Sequence, residues 1–311
     1  MANDVILKAL NEISKKDKID LSSYIQEFDI YNVSETNTSA KCYYIKSDLN
    51  GNDRLKDLVK FMVLFILDYA IPREQVIEAK LKDSETGFST NTMQLRDKAV
   101  NLFSKLNETG ELMELLLFIF SECILGFPQA YCKMSLKTNP NMHVHGADGT
   151  FLNYNNNYLE LYFGEAKLHS CFYKAISECM TSIEGILKKE GTFNTDISLL
   201  KKHSTIGDKD ASEILKSYYD KNHPNYLKLK ICGMAIIGFD KFNKHTFYNE
   251  YSTDEKTEEA IKEKIDLIKS NIKKNINENK LENHNIHLFY IPFSSARLFR
   301  DYFLHEIGIH K

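Results

Sequence analysis

Three side chains in the middle of the chain have the types and spacing for metal-assisted chemistry: Asp148, Glu165 and Lys167. Asp148 lies in the turn-rich string HVHGADG, bracketed by Gly146 and Gly149, which permit the positive-φ geometry that would aim its carboxylate. The string LELYFGEAK alternates as a strand, so Leu159, Leu161, Phe163, Glu165 and Lys167 share one face. Glu160, Tyr162, Gly164 and Ala166 share the other, and the two small residues leave room there for a helix to pack closely. Two charged groups thus emerge side by side where an apolar row runs out. Hard divalent cations such as Mg2+ take carboxylate oxygens and keep several waters. An ammonium beside them can orient an attacking water or offset charge on a phosphate in flight. That is the chemistry of phosphodiester hydrolysis. A bare D…ExK pattern also occurs on solvated strands, so its structural context decides.

The elements around these residues follow from periodicity. Glu111–Leu125 (ELMELLLFIFSECIL) reads as a strongly apolar helix. At helical spacing Glu111, Glu114 and Glu122 fall within about 80° of one another. Glu122 is expected to face water, while Glu114, with Glu111 as the alternative, is the expected further metal ligand. Ala130–Leu136 alternates as a strand that brings Lys133 and Lys137 toward the end where Asp148 lies, either to contact DNA backbone and support the site or as solvated lysines. His143 and His145 are two apart, but with no third nitrogen or sulfur ligand nearby they read as turn histidines. After Lys167 a 3/4-spaced apolar stripe from Leu168 to Leu187 makes a helix packed on the strand it follows. Leu227–Phe239 and His287–Pro292 read as buried strands, Asp254–Asn279 as an outer helix with one apolar stripe, and Ser294–His305 as a serine-capped closing helix.

Ahead of the motif, residues 3–15 form an amphipathic helix, and Tyr24–Val33 and Lys41–Ile45 form strands. A helix buried nearly all round spans Leu55–Ala70 and stops at Pro72; it needs something to pack against. A weaker helical segment, Glu74–Leu81, gives way to a loop at Lys82–Thr90, before a helix over residues 92–106. That loop sets a boundary between an N-terminal α+β region (1–90), with partner-facing surface sought there first, and a second domain (91–311). The alternation of strands and helices after the motif predicts an α/β fold layered around a mixed sheet.

At 311 residues with a net charge of −3, the chain carries no global basic field, so any nucleic-acid contact must use local patches. Six scattered cysteines include no CxxC pair and sit mostly in apolar runs, which fits a reducing compartment rather than disulfides or zinc. The N-terminus lacks the pattern of a signal peptide, and no apolar run approaches a membrane span. The expected setting is the cytoplasm.

Acidic helix, strand, Asp at a strand end, ExK strand, helix: this order resembles the PD-(D/E)xK nuclease core, with Ala147 where that core often has proline. KMSLKTN, HVHGADG, LYFGEAK and the terminal IHLFYIPF…FRDYFL are more specific. Together, over most of residues 90–308, they resemble the HamA family, nuclease subunits of Hachiman anti-phage systems. The resemblance implies an α/β PD-(D/E)xK domain with Asp148 and Glu165 on Mg2+ (Mn2+ as substitute), Lys167 assisting the water, and Glu114 or Glu111 completing the site. It also implies a heterodimer with a superfamily 2 helicase, HamB, that restrains the nuclease until infection, no membrane association, and no nucleotide bound by this chain. Two other readings stay open on the residues alone. An autonomous restriction-type endonuclease would need a target-reading element, and none is visible; a non-catalytic helicase-binding adaptor would have little reason to keep Asp148, Glu165 and Lys167 intact.

Overall fold

The structure, a computed structural model, describes residues 2–103, 110–137, 146–188, 197–200, 202, 206–240 and 254–309. In chain order the main elements are α1 (Ala2–Ile13), β1 (Ile25–Asn32), β2 (Thr38–Ile45), α2 (Leu55–Val63), α3 (Ile66–Ala70), α4 (Arg73–Thr86) and α5 (Thr90–Val100). Then come α6 (Glu111–Ile119), β3 (Gly149–Asn155), β4 (Tyr158–His169), α7 (Phe172–Lys188) and α8 (Lys209–Tyr218). The chain closes with β5 (Leu229–Asp240), α9 (Asp254–Glu278), β6 (Ile286–Phe293) and α10 (Ala296–Glu306).

Six strands form one mixed sheet in the order β1-β2-β6-β5-β4-β3. The central pairs β2/β6, β6/β5 and β5/β4 are parallel, and the two outer pairs are antiparallel. β3 and β4 form a hairpin whose two-residue loop, Asn156-Asn157, has φ of 49° and 65°. Positive φ at both positions matches the twist of the flanking strands, and asparagine tolerates it. β1 and β2, from the N-terminal region, extend the same sheet through β6, so strands on both sides of the boundary at residue 90 share it.

Alternation sorts the strands' side chains into two layers. Tyr162, Ala166, Cys232, Met234, Ile236, Phe289 and Ile291 face a core built with α2, α3, α6 and α10. On the reverse, Ala235, Ile237, Leu288 and Tyr290 face α7 and the isoleucines of α9, while Leu159, Leu161 and Phe163 face α1 and α8. The expected α/β layering is therefore present, a helix–sheet–helix sandwich. Gly164 shows how tight the first layer is. A Cβ there would lie 2.7 Å from Leu117 Cδ2 and 3.2 Å from Phe151, so α6 rests directly on β4. Gly164→Ala forces the buried Leu117 side chain, and through it the α6 packing, to adjust and is expected to cost about 1–3 kcal/mol. A melting temperature unchanged from wild type would contradict this.

Three expectations change. The helix at 55–70 breaks at Leu64-Phe65 into α2 and α3, and its apolar faces are covered by this chain's own α6 and α10 rather than left for a partner. α4 runs on to Thr86, where Gly87 (φ 74°) caps it, instead of yielding to a loop after Leu81. Its mostly exposed surface hid the helical period, since only Val76 and Ala79 are buried. The strand expected at Ala130–Leu136 does not form: a single bridge joins Gln129 to Phe151. Ala130 N–H donates to the Thr150 carbonyl, but β3 begins at Gly149 and offers no ladder beyond it. The chain turns off into a 3₁₀ turn at Met134–Leu136, with Ser135 Oγ bonded to the Cys132 carbonyl.

Candidate active site

The site begins just ahead of β3, at Asp148. Asp148 N–H donates to the Gly164 carbonyl at 2.8 Å, and Asp148 Oδ2 accepts from Ala166 N–H at 3.0 Å. Its side chain thus fills the ladder position that an earlier β3 residue would have taken, and the carboxylate lies at the sheet's rim between the two layers. Gly146, two residues before, takes φ of +117°, which admits the turn into this position.

Glu165 pairs with Ala235 in register and points to the α7 side, as alternation requires. Its carboxylate is almost fully buried, receives a hydrogen bond from Ser182 on α7, and lies 2.5 Å from Lys167 Nζ. Burial, and then the nearby Asp148 carboxylate, push the Glu165 carboxyl above its usual range despite Lys167. Burial works to lower the Lys167 ammonium, yet Glu165 and Asp148 outweigh it and hold the ammonium above its ordinary value. Lys167 is consequently charged at any pH near neutrality, one quarter exposed at the rim.

On the other layer, the N-terminal turn of α6 presents Glu114. Tyr69 donates its hydroxyl to Glu114 at 3.0 Å. Burial first, then repulsion from Asp148, push the Glu114 carboxyl up to about 8, although Lys133 opposes the shift. Lys133 itself lies 3.6 Å from Asp148. Glu111 is buried and paired with Lys137. Asp148 is therefore the hub: Glu165 feels it from one face of the sheet and Glu114 from the other. Among the described residues, no group of three or more His, Cys, Asp or Glu side chains is gathered so as to hold a metal ion. Strand alternation explains this, because Glu165 and Glu114 lie in opposite layers.

The structure thus brings Asp148, Glu165, Lys167, Lys133 and Glu114 to one rim, and places Lys137 with Glu111 beside them. Glu122 is not part of this group, nor does it face water. It is 2% exposed, accepts from Gln129 N–H at 2.8 Å and pairs with Arg73 at 3.0 Å. Beyond Ile119, helix α6 widens into a π-helical turn at Phe120–Leu125, and the wider turn rotates Glu122 away from the strip predicted at constant α-helical pitch. His143 and His145 lie outside the described residues. Tyr69 and Ser182 join the site without any signal in the sequence: one reads as core of an apolar helix, the other as a polar position on α7.

Among the described residues no helix is long and apolar enough to cross a membrane. No curated protein matches the chain. The HamA family model matches residues 21–307, which include every strand and the whole rim just described. The chain therefore belongs to the HamA family, components of the Hachiman anti-phage defence system.

Proposed function

We propose that this chain is a Mg2+-dependent deoxyribonuclease of PD-(D/E)xK type, the effector subunit of a complex in which a helicase restrains it and releases it on infection. One observation supports this reading above the others: Asp148 just ahead of β3 meets Glu165 and Lys167 at the end of β4, with a charged Lys167 beside the carboxylates. The donor set fits the metal. Mg2+ is commonly held by one or two carboxylates with waters and substrate phosphates rather than by an all-protein cage. The mutual repulsion among Asp148, Glu165 and Glu114 is what a divalent cation would relieve. Asp148 and Glu165 would hold it, with Glu114 the α6 carboxylate placed to assist from the opposite layer; Glu111 is committed to Lys137. Bound there, the metal supplies Lewis acidity and a lowered pKa for coordinated water.

The chain's own residues supply the rest. Lys167 positions the attacking water and faces the phosphate's developing charge. Ser182 and Lys167 hold Glu165 in one rotamer, and the Ala166 N–H holds Asp148. Lys133, at 3.6 Å from Asp148, is placed to pass to a DNA phosphate once a cation takes over that carboxylate. Exposed Ile77 and Leu81 on α4, and Phe88 beyond it, supply apolar area in the N-terminal region where a protein partner can dock.

The test is plasmid degradation by the purified chain with Mg2+ or with EDTA, alone and with the proposed partner helicase. Cutting with Mg2+ and none with EDTA is expected, and dependence on the helicase marks an effector rather than an autonomous enzyme. Absence of cutting in every arm, from folded protein, would falsify the nuclease reading.

A further inference from the structure

β4 does not end its functional row at Lys167. Alternation carries Glu165, Lys167 and His169 on the same face, and His169 is the last residue of the strand, one quarter exposed. It follows Lys167 by about 6.6 Å along the strand. Its Nε2 lies 2.7 Å from Glu178 Oε2 on α7. Burial tends to raise the Glu178 carboxyl, but the His169 hydrogen bond and the charges of His169, Lys174 and Lys167 overcome this and hold it below its usual range. An ionised carboxylate can only accept, so His169 Nε2 is the protonated nitrogen in this pair. Nδ1 has no partner among the described residues. Glu178 therefore fixes the ring's tautomer and orientation, the role an acidic residue plays behind a catalytic histidine.

Among the described residues, the charged groups around the ring come from α7, β4, the end of β5 and α10. α7 contributes Glu178 and Lys174, the latter 3.7 Å from Glu178. β4 contributes Lys167. At the end of β5, Asp240 is occupied capping α10 through Ala296 N–H, and Arg300 of α10 donates to the Leu168 carbonyl from the other layer. Among the described residues, Glu178 is the one that hydrogen-bonds the ring.

Resting on the nuclease reading above, we infer that His169, oriented by Glu178, is the catalytic acid that protonates the leaving oxygen of the scissile phosphodiester. In that step the water oxygen forms its bond to phosphorus and gives up a proton to solvent as the phosphorus–leaving-oxygen bond breaks. The electron pair of the broken bond stays on the leaving oxygen and takes the Nδ1 proton of His169. The neutral imidazole is then reprotonated by solvent. Lys167 serves the attacking side and His169 the departing side of one in-line displacement.

The experiment compares wild type with His169→Ala on two DNA duplexes, in Mg2+ and with the helicase if that is needed for cutting. One duplex is ordinary; in the other a bridging sulfur replaces the leaving oxygen, and a thiolate departs without an acid. The expected result is a loss on the order of 10²–10³-fold in kcat on the ordinary duplex, with little change on the sulfur duplex. Glu178→Gln is expected to slow the ordinary duplex while sparing the sulfur duplex, because the carboxylate that fixes the ring's tautomer is gone. An equal loss on both duplexes, or none on either, overturns the acid role while leaving the nuclease reading standing. A wild type that cleaves neither duplex overturns both. Unchanged melting temperature of His169→Ala confirms that the comparison is between folded proteins.

Discussion

Glu165→Gln and Asp148→Asn are each expected to abolish the proposed Mg2+-dependent DNA degradation, with losses on the order of 10³-fold or more, while the proteins melt close to wild type. The size follows from the charge removed. Each substitution keeps the side chain's shape and takes away an anionic oxygen donor, and several kcal/mol of transition-state stabilisation correspond to about three powers of ten in rate. Stability changes little, because burying Glu165 beside Asp148 already raises its carboxyl, so an uncharged amide relieves repulsion as it loses the Lys167 ion pair. Lys167→Ala is expected to fall nearly as far. Arginine does not replace it, because its planar fork differs from the compact ammonium now held 2.5 Å from Glu165. A Glu165→Gln protein that degrades plasmid at the wild-type rate would remove β4 from the chemistry.

The same assay separates the two α6 glutamates. Glu114 shares the electrostatic field of Asp148 and is held by Tyr69, whereas Glu111 is occupied by Lys137. Activity in Glu114→Gln should therefore fall well below that in Glu111→Gln, whose main loss is an ion pair beside the rim.

Much of this site was legible before any coordinates because it depends on local rules. A period of two put Glu165 and Lys167 on one face and Gly164 on the other, and β4 obeys that alternation along its length. The stripe from Leu168 to Leu187 specified α7 for a similar reason: a helix that buries one face must repeat its apolar residues every three or four positions. What stayed hidden depends on contacts far apart in sequence or on irregular backbone. Nothing near Glu114 announces Tyr69, which is 45 residues away. The alternation of AYCKMSL was real, but a strand also needs a neighbour, and β3 begins too late to provide one. Glu122 was misplaced because a helical wheel assumes constant pitch, and the pitch changes at Phe120.

Glu122 carries the second large effect, one of stability rather than chemistry. Arg73→Met is expected to destabilise the fold by about 3–5 kcal/mol, because it leaves a buried carboxylate without its cation. Arg73 donates to both Glu122 oxygens, at 3.0 and 3.3 Å, and to the Ile13 carbonyl at 3.0 Å, so it ties together the end of α1, the start of α4 and the π-helical turn. Among the described residues, its removal leaves Gln129 N–H as the hydrogen-bond donor to the Glu122 carboxylate, with only the charge of Lys15 acting from nearby. Burial holds the Glu122 carboxyl above its usual range even with Arg73 present, and without Arg73 it must rise further. A carboxyl raised in the folded state binds its proton more tightly there than in the unfolded chain. The stability this gives is fully present below the unfolded value and is lost as pH climbs through the folded one. The deficit of Arg73→Met relative to wild type should therefore be small near pH 5 and grow toward pH 8. Urea midpoints of both proteins at the two pH values measure it, and an equal deficit at both would mean that Glu122 is not the group left exposed to the penalty. Adding Glu122→Gln to Arg73→Met removes the charge, keeps an acceptor for Gln129 N–H, and should recover much of the loss while flattening its pH dependence. The destabilised end of α6 lies more than two turns from Glu114, so nuclease activity below the melting transition should survive Arg73→Met, in contrast to the rim substitutions.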